Sequence, residues 1–208
     1  MSSKYFNQSF LCDNKTKEVS NLTALSTVLD SSSQQLRHKW CESLLYKLYI
    51  IHNEFENANC NVCLKNLKID NHNNLVLVNV SDNGKLSEKT RTQTDARFVA
   101  PELMKCNETS KAGDVWAAGI CIYYIINSSF PWNIADKSDE RFCAWAKRGV
   151  FPGSSDDLFM RVVKKILCVD SEMRPCIKNV ISLTYDTETD KSVVGKFFFM
   201  EINSKKKL

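Results

Sequence analysis

The sequence predicts a mainly α-helical fold carrying one small β-hairpin. In residues 36–51, apolar side chains recur at helical spacing (Trp40, Leu44, Leu45, Leu48, Ile51). Residues 114–127 are almost wholly apolar and aromatic, the profile of a helix buried on all sides. Between these two helices lie Leu67-Lys68-Ile69 and Leu75-Val76-Leu77-Val78, joined by Asn71-His72-Asn73-Asn74. The flanks are apolar and β-branched, and asparagine tolerates positive φ and bonds its own backbone, so this stretch reads as strand, turn and strand.

The remaining elements follow in order. Residues 1–34 are polar and rich in Ser, Asn and Thr, with Leu22, Leu25 and Val28 spaced to line one short helix. The 36–51 helix ends near His52-Asn53. Residues 85–95 are polar and charged and predict an exposed loop. Beyond the central helix, residues 139–147, 156–168 and 177–183 predict three more helices. From Thr184 the pattern changes to Thr-Tyr-Asp-Thr-Glu-Thr-Asp-Lys, then Phe197-Phe198-Phe199-Met200 and Lys205-Lys206-Lys207. The expected organisation is an N-terminal segment (1–34), a helical body (35–183) and a tail (184–208).

Composition bounds the function classes. With 208 residues and 43% hydrophobic content, the chain can bury one sizeable core. Met1-Ser2-Ser3-Lys4 leads into no apolar core of a signal peptide, and no apolar run reaches the ~18 residues that cross a bilayer. Nine cysteines, several within apolar segments (Cys121, Cys143, Cys168), predict reduced, buried thiols and an intracellular protein of the cytoplasm or nucleus. Cys60-x-x-Cys63 invites a zinc or redox reading, but no second such pair exists and His38, His52 and His72 lack ligand spacing; no metal is expected. The net charge of +4 is dispersed apart from Lys205-Lys206-Lys207, a solvated terminus or an import or nucleic-acid signal. No nucleic-acid or membrane partner is expected.

The order Phe98-Val99-Ala100-Pro101-Glu102, Gly113-Asp114-Val115-Trp116-Ala117-Ala118-Gly119, Phe130-Pro131-Trp132 and Arg174-Pro175 resembles the large helical lobe of a eukaryotic Ser/Thr protein kinase, over roughly residues 35–183. The stretches Val99 to Lys105, Asp114 to Ile120 and Phe130 to Asn133, with a Trp-containing helix at Trp145, are most similar to the DNA-damage checkpoint effector kinases. The resemblance implies a kinase-like C-terminal lobe. No small lobe is expected: the first glycine is Gly84, so no Gly-rich loop precedes the catalytic loop, and Lys4, Lys15 and Lys17 sit in no V-A-I-K-like strand. Tyr5-Phe6 and Ser9-Phe10-Leu11-Cys12 read as a remnant strand and hinge.

With the hairpin fixed, the family's H-R-D-L-x-x-x-N catalytic loop falls on Asn59-Cys60-Asn61-Val62-Cys63-Leu64-Lys65-Asn66, and its D-F-G on Asn79-Val80-Ser81. Only Asn66 survives. Asn61 stands where the resemblance implies the general base; it is neutral and takes no proton. Asn79 offers one neutral carbonyl where a hard cation wants anionic oxygen. Cys63 replaces the phosphate-side lysine. A shifted metal motif at Ser81-Asp82-Asn83-Gly84 is the alternative register, although an odd slip turns the buried face of a strand outward. The Gly-Thr pair expected before the activation-segment aromatic reads Thr94-Asp95.

The retained positions are structural ones. Glu102 and Arg174 match the family's buried ion pair between activation segment and helical body. Asp114 matches the aspartate that bonds the catalytic-loop backbone; a carboxylate there also caps a helix and complements its dipole. These readings together predict a catalytically inactive, truncated kinase homologue acting as regulator or scaffold of a protein partner, such as a full-length kinase or its regulator. No cofactor is expected. The alternatives are a Ser/Thr kinase fragment using ATP and magnesium, and a decaying duplicate. Loss of the small lobe would bare a face at Leu64, Leu75, Leu77 and Val80, to be covered by the N-terminal segment, the phenylalanine tail or a partner.

Overall fold

A computed structural model of the chain describes residues 11–12, 22–54, 61–79, 95–104, 110–153 and 157–184. In chain order the elements are β1 (Leu11–Cys12), β2 (Thr23–Ala24), α1 (Leu25–Val28), α2 (Gln34–Glu54), β3 (Leu67–Ile69), β4 (Leu75–Val78), α3 (Lys111–Asn127), α4 (Glu140–Arg148), α5 (Leu158–Ile166) and α6 (Ile177–Thr184). Short 3-10 turns at Leu64–Asn66, Ala96–Phe98 and Pro101–Leu103 connect the sheet to the helical body. The fold is mainly helical with one small sheet.

That sheet is wider than a hairpin. Its order is β1-β4-β3-β2, with β3 and β4 antiparallel and β1 parallel to β4. Two short strands thus pair backbone groups that a lone hairpin would leave at its edges. The turn between β3 and β4 forms around Asp70, whose carboxylate accepts the backbone N–H groups of His72 and Asn74 at 2.8 Å each. Asn73 takes the left-handed conformation, φ 59°, and its carbonyl accepts the Trp40 indole N–H at 3.0 Å, pinning the turn to α2.

The expected bare face at Leu64, Leu75 and Leu77 does not exist as such. Leu75 and Leu77 are buried and join Leu67 and Ile69 in the core. The two-residue strand period settles this: the register Leu67↔Leu77 and Ile69↔Leu75 puts all four on the inner face, and the half-buried Val76 and Lys68 on the other. Leu64 is half-buried; Val80 lies outside the described residues, as do the segments around Tyr5 and Phe197–Phe199.

The central helix is α3, packed between α2 and α5, with α6 against both α2 and α5. It starts three residues before the apolar run because Ser110 accepts the Gly113 N–H at 2.9 Å and caps it. Asp114 is therefore not the cap; it lies in the first turn. Asp139 and Asp157 cap α4 and α5 in the same way. On α3, Trp116 lies 5.8 Å from Trp132, which meets Phe142 edge-on at 5.3 Å. The Phe-Pro-Trp motif is thereby an aromatic anchor joining α3 to α4. Gly119 allows the closest approach: a Cβ there would lie 2.5 Å from Ile166 Cγ2 of α5.

Candidate functional site

The loop from Asn61 to Asn66 and the end of β4 bring three asparagines together. Asn66 is buried, and its amide N–H donates to the Asn61 backbone carbonyl at 2.8 Å. Its side-chain oxygen accepts from the Asn79 amide at 2.9 Å. Asn61 and Asn79 both adopt positive φ, 44° and 58°. Asparagine occupies this region more readily than most non-glycine residues, so the sequence suits these two sharp corners. Val80 and Ser81, and the shifted alternative at Asp82 and Gly84, lie outside the described residues, as do Asn59 and Cys60.

The chemistry of this cluster is that of neutral amides. Asn61 has no proton-accepting carboxylate. The Asn66 side-chain oxygen, which sequence alignment with the kinase loop would turn toward a metal, already accepts a hydrogen bond from the other metal-motif position. Among the described residues of this cluster the side-chain oxygens are neutral amide carbonyls, and none is the anionic oxygen that a hard divalent cation favours. Among the described residues, no group of three or more His, Cys, Asp or Glu is placed to hold a metal ion. Cys63 is buried; burial pushes its thiol up, outweighing the Asn66 and Lys65 backbone N–H groups and the Lys65 charge. It is a buried, neutral packing group at the position that the kinase resemblance aligns with a lysine.

Around this cluster the structure is tightly tied. The Arg174 guanidinium grips Glu102 with two bonds, Nη1 to Oε1 at 2.7 Å and Nη2 to Oε2 at 2.9 Å. It also donates to the carbonyls of Ala112 and Cys168 and lies 4.9 Å over the Trp116 ring. The Arg174 side chain is fully buried and that of Glu102 is 26% exposed. Four N–H donors of a planar fork are thus distributed among a carboxylate and two carbonyls that a lysine could not serve together.

Asp114 bonds a residue that sequence reasoning passed over. Its Oδ2 lies 3.0 Å from His52 Nε2, both side chains being buried. Lys111, also on α3, donates to the His52 backbone carbonyl at 2.6 Å, satisfying a carbonyl at the end of α2. His52 appeared only as a histidine without ligand spacing. A histidine in the last turn of an apolar helix was the available signal, because buried histidines need partners.

On the activation-segment side, Asp95 caps the Ala96–Phe98 turn and pairs with Arg97, whose guanidinium stacks 4.0 Å over Phe130. The Arg97 hydrogen bond holds the Asp95 carboxyl below its ordinary value, despite partial burial. Asp95, the one described residue of the 85–95 loop, is half-buried rather than exposed. Where the resemblance implied a substrate-facing threonine, the described residue is an aspartate committed to its own segment.

The protein kinase domain family matches residues 12–185, and the chain belongs to that family. It is similar to the serine/threonine-protein kinase SBK1 of Danio rerio, 32% identical over 100 residues, 41% of this chain and 26% of that protein. Similarity to serine/threonine-protein kinase ksp1 of Schizosaccharomyces pombe is 30% over 135 residues, 57% of this chain and 28% of the relative. A probable serine/threonine-protein kinase CHK1 homolog of Encephalitozoon cuniculi is 27% identical over 127 residues, 56% of this chain and 30% of its own. The matches thus span under a third of the relatives' length. None of the described helices is long and apolar enough to cross a membrane.

Proposed function

We propose that this chain uses the kinase fold to bind a protein partner and performs no phosphoryl transfer. One observation carries the reading: the Asn79 amide donates to the Asn66 side-chain oxygen at 2.9 Å, so the two positions that the kinase resemblance aligns with metal ligands are neutral amides bonded to each other. Asn61 at the base position and buried Cys63 at the cation position support it, since parts that act as one unit are not replaced by the survival of one. Glu102, Asp114 and Arg174 serve the architecture. The reading expects no ATP or magnesium cofactor, a partner such as a full-length kinase or its regulator, no nucleic acid or membrane, and a place in the cytoplasm or nucleus.

The second reading, a Ser/Thr kinase that works with ATP and magnesium when complete, is favoured by the relatives' names. Thermal-shift titration with Mg-ATP and a radiolabelled phosphotransfer assay separate the two. We expect no nucleotide-dependent shift and no incorporation. Incorporation that disappears in Asn61→Ala would overturn the regulator reading.

A further inference from the structure

A groove at the far end of the helical body is used by nothing described so far. Trp145 of α4, Lys164 and Lys165 in the last turn of α5, Val169 and Met173 of the following loop, and Leu183 of α6 enclose about 640 Å³. That volume lies within the ~300–1,000 Å³ of ligand-binding sites. Its wall is firm where it is aromatic: the Trp145 indole donates to the Leu167 carbonyl at 2.8 Å and meets Phe151 edge-on at 4.9 Å. It is apolar where it faces water, with Met173 74% and Val169 37% exposed, two of the three large hydrophobics exposed among the described residues. Single exposed apolar residues are ordinary; here two of them border one groove. Both lysines are exposed and Asp170 is the one acid among the lining residues, so the rim is net positive.

The chain itself carries the complement. The last described residue, Thr184, follows Leu183 in the groove wall. Beyond it come the acids Asp186, Glu188 and Asp190, then Lys191 and Lys196, and then Phe197-Phe198-Phe199-Met200, so within residues 186–200 the negative charge is confined to the stretch nearest the groove wall in sequence. We propose that residues 186–200 dock in this groove, the acids toward Lys164 and Lys165 and the phenylalanines against Trp145, Val169 and Met173. Phe198 lies fourteen positions beyond Thr184, a reach of up to ~45 Å extended, so the tether is long enough to double back. A short tether also supplies a local concentration of order millimolar, which a free segment would not have. Three consecutive phenylalanines lose water-exposed area on docking, and the acids set the direction in which the segment lies. The proposal stands whether or not the chain transfers phosphate.

The test uses the full chain carrying Met173→Cys and Phe198→Cys, oxidised under native conditions and mapped by mass spectrometry. Met173 is mostly exposed and the other residue lies beyond α6, so the described core is untouched. An intramolecular 173–198 disulfide is expected. Its absence, or a disulfide formed only between two chains, overturns docking within one chain. A second measurement compares hydrogen exchange in the unmodified chain and in the triple variant Phe197→Ser, Phe198→Ser, Phe199→Ser. Exchange over residues 168–183 should quicken several-fold while residues 36–51 stay unchanged; equal exchange in both proteins refutes the proposal. Lys164→Glu with Lys165→Glu should produce a smaller acceleration, and in the unmodified chain high salt should reproduce it.

Discussion

Replacing Arg174 by alanine gives the sharpest test of how this lobe is held together. The substitution removes two charge-assisted bonds to Glu102, the donors to the Ala112 and Cys168 carbonyls, and the stacking over Trp116. Breaking a buried pair by removing one partner costs ~3–5 kcal/mol, chiefly because the other charge is stranded. Glu102 is 26% exposed and recovers some hydration, which pulls the estimate toward the lower end. Losing the cation–π contact adds roughly 0.5–2 kcal/mol, and two buried carbonyls lose a donor. The expected total is about 4 kcal/mol, a large share of the 5–15 kcal/mol by which a domain is usually stable. Urea unfolding followed by tryptophan fluorescence reads it, with an unchanged m-value as the two-state check. Arg148→Ala, on an exposed residue at the end of α4, is the control and should stay within about 0.5 kcal/mol. A loss below about 1 kcal/mol for Arg174→Ala, matching the control, would refute the assignment of this pair as the tie between segment and body.

Other expectations follow from single contacts. Gly119→Ala should destabilise by about 1–3 kcal/mol in the same unfolding assay, because its Cβ meets a stiff, buried Ile166 at 2.5 Å. Burial pushes the Asp157 carboxyl up, but bonds from His38, Gln34 and the Phe159 N–H outweigh it and hold it below its ordinary value. A depressed folded-state value contributes stability that is present above the unfolded carboxyl near pH ~4 and is lost as pH falls through the folded value. Asp157→Asn should therefore flatten the acid limb of the melting temperature against pH. Asp114→Asn should lower the melting temperature and leave His52 without its carboxylate partner, which a shift of the His52 ring proton resonances in NMR would report.

The sequence by itself determined the helices, the hairpin and the positions of the kinase-like structural residues. The helices and the hairpin follow from local rules, apolar spacing and asparagine turns; the pairing of Arg174 with Glu102, 72 residues apart, came from the resemblance to the kinase lobe. Even here the boundaries moved, since α3 begins at Lys111, capped by Ser110, and not at Asp114, a cap being a contact between one hydroxyl and one N–H that periodicity does not register. Four features were decided only by the tertiary structure. Of the two extra strands, β1 falls on Leu11–Cys12, within the stretch that reads as a remnant strand and hinge, whereas β2 at Thr23–Ala24 left no pattern; that they pair with the edges of β4 and β3 was decided by the fold. Leu75 and Leu77 turned inward because the strand register, fixed by the Asp70 turn, put them on the face with Leu67 and Ile69. The asparagine substitutions could be read along the chain. Their mutual bonds could not, because Asn61, Asn66 and Asn79 meet only when the loop and the end of β4 are folded against each other. The same holds for His52 and Asp114, which lie 62 residues apart in sequence and meet where α2 ends against the start of α3.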